Sequence, residues 1–353
     1  MNRALVDRIA NAVLYEGYIL YPYRPSLRNR QRWNFGGLYP EPYCRSIGEA
    51  ASNQTQCLVN GTQATRIEVV IRFLHLTARI VGEVSPPIRE WPNDGEIVFR
   101  PVPTLEIGEQ LLHTWQEAEE REIALDEMML GELAARPRSV PFRFPGGCRA
   151  EAVRDANGQI VGILRREQQA IEGEIAVEAA EIVGGVFRLT CRVHNRTSPT
   201  QSQPMSRDDA LLHTLVSAHT ILGVQDGEFI SLLDPPECWR EHAAGCRNIG
   251  VWPVLVGTEG QTDTLLSSRI ILYDYPQVAP ESPGDFFDNT EIDEMLTLRI
   301  LTMTDDEKRA MATVDERARG LLERTESMTE EQLRGLHGAI RDFQLLMREE
   351  ENG

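Results

Sequence analysis

The sequence predicts an α+β fold. Its β-rich core is expected to be an antiparallel sandwich, with helices at the periphery and a helical C-terminal segment. Three observations support this prediction. Apolar and polar residues alternate on both sides of Gly184-Gly185, several other runs are rich in β-branched residues, and residues 289–348 carry helix-starting sequences. Strands at this spacing favour a sandwich over a regular alternation of strands and helices.

The N-terminal part, residues 1–63, combines a short helix with a loop of unusual composition. Residues 3–15 place apolar side chains at helical spacing. Residues 21–43 hold six aromatic rings and four arginines. Because prolines and the Gly36-Gly37 pair interrupt this stretch, we expect an ordered loop rather than a long helix.

The middle part, residues 64–283, contains most of the predicted strands. The run "TRIEVVIRFLHLTARIV" from Thr65 is rich in β-branched residues, so it predicts one strand, or two separated by a bulge. The run "GEIVFRPV" from Gly95 predicts another strand. The run "EAEEREIALDEMMLGEL" from Glu117 fits either a charged helix or a strand with one wet face.

The clearest strand signal is a hairpin around Gly184-Gly185. The runs "IEGEIAVEAAEI" and "VFRLTCRVHNRT" alternate apolar and polar residues, and the two glycines between them supply the turn geometry. This alternation places apolar side chains on one face of the second strand: Phe187, Leu189, Cys191 and Val193.

A helix is expected over residues 202–224. Ser206 is a suitable N-cap because Asp209 follows three residues later, and Gly223 is a suitable end. Beyond this helix, the runs "VWPVLVG" and "SSRIILYDYP" predict buried strands.

The C-terminal part, residues 284–353, follows a proline-rich stretch and is expected to hold three helices. Capping boxes mark the starts of the second and third helices, and they pair Thr304 with Glu307 and Thr329 with Gln332.

Composition narrows the function classes. The 353-residue chain has a net charge of −18 and a pI near 4.9. Such a charge opposes binding to nucleic acid and to anionic lipid, so neither partner is expected. The sequence shows no secretory signal, and its six cysteines are scattered without a disulfide framework, which predicts a cytoplasmic protein.

Three residues late in the chain suggest a metal site. Cys238, His242 and Cys246 are spaced at i, i+4 and i+8, so a continuous helix would place them near one face. Thiolates and imidazole suit zinc, nickel or iron, with His213 or His219 as a further ligand. The alternative is that both cysteines are small buried residues and that the histidines are structural.

The loop near the N-terminus suggests a second site, for a partner or an anion. Its candidates are Arg24, Arg28, Arg30, Arg32, Trp33 and Tyr39. These side chains suit stacking on an anion or a base, and Trp, Tyr and Arg are also typical of interface hot spots. In so acidic a chain, the arginines are more simply expected to pair with carboxylates of the protein itself.

Four stretches of the chain resemble an uncharacterised bacterial protein family that is associated with gene clusters of nickel–iron hydrogenases. They are "LYEGYILYPYRPSLRNRQRWNFGGLYP", "SAHTILGVQDGEFISLLDPPE", "GVWPVLVG" and "LLSSRIILYDYPQVAPESPGDFFDNTEIDEMLTLRILTMTDDEKRAM". The resemblance implies an accessory role in maturation, assembly or partner contact for a cytoplasmic metalloenzyme. It brings no established catalytic residues.

Two functional hypotheses follow. The first is a non-catalytic accessory or assembly protein whose partner is another protein, such as a hydrogenase subunit or a maturation factor. The alternative is a metal-dependent enzyme or metal carrier that uses the Cys/His segment around residues 238–246. No Walker loop, G-x-G-x-x-G, H-E-x-x-H or G-x-S-x-G sequence points to a specific reaction.

Overall fold

The computed structural model describes residues 6–11, 14, 36–92, 95, 97–108, 110–199, 205–276, 300–312 and 316–329. Within these residues strands predominate and the helices are few and short, so the predicted α+β class with a β-rich core is confirmed. Residues 6–11 and 14 are helical, as the N-terminal pattern predicts. None of the described helices combines the length and the apolar character that crossing a bilayer requires.

The strands of the described residues are β1 Gly37–Leu38, β2 Ser52–Ile88, β3 Arg100–Val102, β4 Thr104–Ile107, β5 Gln110–His113, β6 Trp115–Ala124, β7 Met128–Met129, β8 Arg138–Phe144, β9 Gly147–Arg154, β10 Ile160–Gln168, β11 Ile171–Val183, β12 Val186–Asn195, β13 Leu215–Ile230, β14 Trp252–Leu255 and β15 Thr264–Ser268. Besides the N-terminal helix, the described helices are α1 Glu41–Ile47, α2 Leu130–Ala135, α3 Arg207–Leu211, α4 Arg240–Ala244, α5 Asp305–Ala312 and α6 Glu316–Ser327.

The long strand β2 organises the main sheet, which has 13 strands among the described residues. All of its neighbours are antiparallel to it. Along one edge β2 pairs in turn with β12, β7, β6 and β3, and along the other edge with β13 and β10. One continuous strand therefore connects every part of the sheet.

A corner in β2 bends this sheet. Four residues of β2 between Gly61 and Arg66 lie opposite the single residue Asp226 of β13. Thr65 Oγ1 closes the corner by donating a hydrogen bond to the backbone oxygen of Asp226 at 2.7 Å. A Cβ atom on Gly61 would lie 2.4 Å from Thr65 Oγ1, so this position requires glycine. The division expected after residue 63 falls inside this strand, whereas the one expected after residue 283 lies outside the described residues.

The strands pack as two layers of one folded sheet. The ring of Phe73 in β2 contacts those of Phe142 and Phe144 in β8, with centroids 6.4 and 5.5 Å apart. In the sheet, β11 and β12 lie between β2 and β8, so the sheet must fold over to bring these rings together. The layers enclose a buried core that includes Ile67, Val69, Ile71, Ile175, Val177, Phe187, Leu189 and Leu222.

Helices cover the outer face of the sheet. Val6, Ile9 and Ala10 of the N-terminal helix pack on a patch formed by Val70, Ile221, Val254, Val256 and Leu266. In the C-terminal segment, Ile300 and Leu322 pack into a neighbouring cluster that includes Leu14, Tyr39, Leu74, Leu76 and Leu211.

A buried arginine joins the N-terminal helix to the sheet. Arg72 of β2 donates to Asn11 Oδ1 at 2.7 Å and forms ion pairs with Asp7 at 3.5 Å and Glu120 at 3.1 Å. Its side chain is 9% exposed. These partners come from both the N-terminal helix and the sheet. They offset the free-energy cost of removing the guanidinium from water.

The far end of β2 forms an extension, which we call the arm. It consists of β2 from residue 77 onward together with β3, β9 and β10. Two small apolar clusters stabilise it. One contains Val84, Ile97, Ile160 and Ile163, and the other contains Val81, Leu112 and Val153.

The predicted hairpin is confirmed as β11 and β12. Its register runs from Gly173 opposite Asn195 to Val183 opposite Val186. The turn glycines have φ values of +56° and +84°, a region that other residues rarely adopt. The face predicted to be apolar is buried: Phe187, Leu189, Cys191 and Val193.

The helix predicted over residues 202–224 is wrong in most of its length. Its start is correct, because the Ser206 hydroxyl accepts a hydrogen bond from the backbone N–H of Asp209 and caps α3. However, α3 ends at Leu211, and Gly223 lies within β13 rather than at a helix end. Residues 215–224 are buried on both faces, which is typical of a central strand.

Three other segments for which the sequence makes predictions have the following structures. The ambiguous run from Glu117 forms most of β6, then β7 and most of α2. The run from Ser267 contributes only the end of β15, because the strand stops at Ser268. Helix α5 starts at Asp305, directly after the predicted cap Thr304, whereas the helix expected from Thr329 lies almost wholly outside the described residues.

Candidate functional site

The Cys/His segment forms two short helical pieces rather than one helix. A 3-10 turn, Glu237–Trp239, precedes α4, which ends at Ala244. Cys238 is exposed, and the His242 ring packs against Trp239 with centroids 5.9 Å apart. Cys246 follows α4 and is half-buried. Its thiol donates to the backbone oxygen of His242 at 3.7 Å, and burial raises its pKa.

The two further histidines lie elsewhere in the fold. His219 is buried in β13, where Nδ1 lies 3.1 Å from the backbone oxygen of Ser217, and desolvation lowers its pKa to about 4. His213 lies between α3 and β13. The expectation that both share one helix is therefore wrong.

The proposed ligands do not form a metal centre in this structure. Across the described residues, no group of three or more His, Cys, Asp or Glu side chains is placed to hold a metal ion. Cys238 lies in the 3-10 turn, His242 lies in α4 and Cys246 lies beyond its end, whereas His219 lies on a strand, so one continuous helix does not align these candidates.

Of the aromatic and arginine candidates, only Tyr39 is among the residues that the structure describes. Arg24, Arg28, Arg30, Arg32 and Trp33 lie outside the described residues.

Tyr39 is described, and it is 2% exposed. Its ring packs against Tyr43 with centroids 5.3 Å apart. Burial raises the pKa of its hydroxyl, and the nearby Arg207 opposes this shift. Tyr39 is therefore a core residue and does not present its ring to a partner.

A polar cleft lies between α3 and the start of β11. Its volume is about 390 Å³. Burial lowers the pKa of His213, whose ring also bonds with the backbone of Ala170. The side chains and backbone that line the cleft are those of Gln169, Ala170, Glu172, Thr197, Ser198, Pro199, Asp209, Leu212 and His213.

The carboxylates that line this cleft already have partners within the protein. Glu172 forms an ion pair with Arg143 at 3.3 Å, and Asp209 accepts a hydrogen bond from Ser206 Oγ at 2.6 Å. We therefore base no function on this cleft.

Four exposed apolar side chains belong to β14, the terminal strand at one end of the sheet, or to segments that adjoin it. They are Ile249, Trp252, Ile271 and Tyr273, which we call the edge patch. Ile271 and Tyr273 are 72% and 86% exposed, and Ile249 and Trp252 are 52% and 44% exposed. Isolated exposed apolar residues are ordinary, but a group that includes Trp and Tyr at one sheet edge is typical of an interaction surface.

The backbone holds this patch in place. Ser268 of β15 pairs with Trp252, and the chain then returns so that the N–H of Tyr275 donates to the backbone oxygen of Leu255 at 2.7 Å. Asp274 strengthens the return by accepting the N–H of Leu255 at 2.7 Å. Residues 271 and 273 are therefore fixed beside β14.

The stretch of sequence that contains the edge patch is acidic. Residues 231–276 contain six carboxylate side chains and three arginines. This stretch therefore has a net negative charge, like the whole chain.

Sequence reasoning missed the edge patch because both of its runs were expected to be buried strands. The strand "WPVL" does bury Pro253, Val254 and Leu255, but it leaves Trp252 exposed. The sequence feature that could have indicated the edge patch is the position of Trp252 at the start of a strand.

Comparison with protein-family models and with curated proteins finds no match.

Proposed function

We propose that this chain is an accessory or assembly protein of the cytoplasm that binds another protein, with a metalloenzyme such as a nickel–iron hydrogenase as its client. The observation that carries the proposal is the edge patch. The choice of client rests on the resemblance of four sequence stretches to the hydrogenase-associated family.

The edge patch has the composition of a binding hot spot. Trp and Tyr bury large areas at low cost in side-chain entropy and dominate the energetics of many interfaces. Trp252 stands on a strand, and Tyr273 lies on a segment bonded to that strand, so both are pre-organised.

The net charge of the chain indicates what kind of partner surface fits. An apolar patch on a chain of net charge −18 complements an apolar surface bordered by Lys and Arg. Binding should therefore become slower and weaker as ionic strength rises, because salt screens surface charges.

The alternative, a metal-dependent enzyme or carrier that uses Cys238, His242 and Cys246, keeps its own test. Metal analysis of the purified protein, with and without Cys246→Ser, would reveal about one equivalent lost if a zinc, nickel or iron site exists. No observation in the described residues favours this alternative over partner binding.

The test of the proposal is a binding titration with purified hydrogenase subunits and maturation factors from the same cell. Replacing both Trp252 and Tyr273 by alanine should weaken binding by about 30-fold or more, because the loss of even one hot-spot side chain costs about 2 kcal/mol. The matched control is the double variant Val98→Ala and Val183→Ala, which removes exposed apolar side chains elsewhere.

The control variant should bind like the unchanged protein. Equal affinity of the Trp252/Tyr273 variant, with its fold intact by circular dichroism, would remove the edge patch from the interface. Failure of the unchanged protein to bind any hydrogenase subunit or maturation factor would reject the proposed client.

A further inference from the structure

Strand β9 of the arm is an edge strand. It pairs with β10 along its whole length, from Gly147 opposite Gln168 to Arg154 opposite Ile160. Within the described residues no strand pairs with its other edge. The backbone N–H and C=O groups on that side are therefore available for another strand.

Both faces of the first part of β9 are exposed. All five residues from Gly147 to Glu151 are exposed, and packing on the strand begins only at Ala152 and Val153, which contact the two small clusters of the arm. A further strand could therefore join this edge without displacing any described element.

Other edges of the sheet carry features that discourage strand pairing. Pro141 in β8 and Pro253 in β14 lack a backbone N–H. Strand β6 carries four glutamates and one arginine, so two copies of it would repel each other. Strand β9 has no proline, and its charges are mixed in sign.

We propose that β9 pairs antiparallel with β9 of a second copy of this chain, about a two-fold axis at Ala150. This register places Arg149 opposite Glu151 of the second copy, and Glu151 opposite Arg149 of the second copy. A two-fold axis normal to the sheet keeps each side chain on its own face, so both charge pairs form on one face.

Neighbouring registers are worse. An axis at Arg149 or at Glu151 places two like charges directly opposite each other, which is destabilising. The register centred on Ala150 alone satisfies both residues.

Glu151 already has one arginine partner within its own chain. Arg166 of β10 forms an ion pair with Glu151 at 3.0 Å, and Arg166 also contacts Glu117 at 2.8 Å. Glu151 is 59% exposed, so its carboxylate remains able to accept a second arginine. The dimer extends the sheet of the arm, β2–β10–β9, into the same three strands of the second copy, and none of these strands contains a residue of the edge patch.

The test is a charge exchange followed by sedimentation velocity over a wide concentration range. The unchanged protein should dimerise at micromolar concentration. Arg149→Glu and Glu151→Arg should each weaken the dimer by about tenfold or more, because each creates two like-charge pairs. An equimolar mixture of the two variants should dimerise again, since the unlike copies form two opposite-charge pairs.

The control is Arg143→Glu on the proline-containing edge β8, which should leave dimerisation unchanged. A protein that stays monomeric at every concentration would overturn the proposal, and so would a mixture that dimerises no better than its components. Pairing of β9 with an extended segment of a different protein, while the chain itself stays monomeric, would also overturn it.

A disulfide test measures the register directly. In a Cys148→Ser background, Ala150→Cys should form a covalent dimer on mild oxidation, because residues directly opposite in an antiparallel pair have Cα atoms about 4.5–5.5 Å apart. In the same background, Ala152→Cys should not cross-link, since it lies opposite position 148. Absence of a covalent dimer in the Ala150→Cys protein would reject the two-fold at this residue.

Discussion

Two single residues, His75 and His219, are buried as neutral imidazoles. They are 0% and 1% exposed, and desolvation is the main cause that lowers the pKa of each to about 4. In an unfolded chain the pKa of histidine is about 6.5. Between these values the unfolded state binds more protons than the folded state, so stability falls as the pH drops through this window.

We therefore predict that lowering the pH from 7 to 5 reduces the free energy of unfolding by about 2 kcal/mol for each of these histidines. Urea unfolding at both pH values measures the effect. His219→Gln should remove about 2 kcal/mol of the difference between the two pH values. Thr220→Val, a buried change in the same strand that does not titrate, should keep the whole difference. A His219→Gln protein with the original pH dependence would contradict this account.

Residue types could be read from the sequence, but their surroundings could not. Cys238, His242 and Cys246 were chosen because a helix would align them, and that alignment depends on a regular backbone. The segment consists of a 3-10 turn, Glu237–Trp239, and the short helix α4, and Cys246 lies beyond the end of that helix. Tyr39 shows the same limit, because its burial comes from contacts with distant elements.

At the scale of elements, period-two alternation was the most dependable signal. It identified β11 and β12, because each strand has one buried face and one wetter face. The run that forms β13 lacks this contrast, since residues 215–224 are buried throughout. A short apolar run of this kind cannot be distinguished from a buried helix by periodicity alone.

The hairpin turn gives a prediction for one element. Gly184 and Gly185 both adopt positive φ, so replacing Gly185 by alanine should lower the free energy of unfolding by about 1–2 kcal/mol. Urea unfolding checks this value. Gly147→Ala, at an open strand position without positive φ, should change stability by less than about 0.5 kcal/mol. An equal effect of the two substitutions would show that the turn conformation is not the cause.

At the scale of the whole molecule, the fold class was predictable and the sheet topology was not. The β-rich composition follows from local patterns, whereas the path of β2 depends on pairing with six partners along the chain. The corner at Thr65 forms by a hydrogen bond to Asp226, 161 residues away. Such long-range pairing has no signature in a local window, which is why a division was expected where the strand is continuous.

On the scale of the whole molecule, the chain is strongly acidic, and its described residues include the exposed aromatic side chains of the edge patch. The charge of −18 opposes contact with polyanions, and the edge patch supplies apolar area that a partner protein would bury. The proposed client-binding function depends on this combination.

Hydrogen–deuterium exchange of the intact chain, with and without a purified hydrogenase client, tests this claim most directly. We predict that the client slows exchange at residues 249–255 and 269–275, and leaves exchange in the β11–β12 turn unchanged. Protection confined to other regions, with exchange around Trp252 and Tyr273 unaltered in the complex, would contradict it.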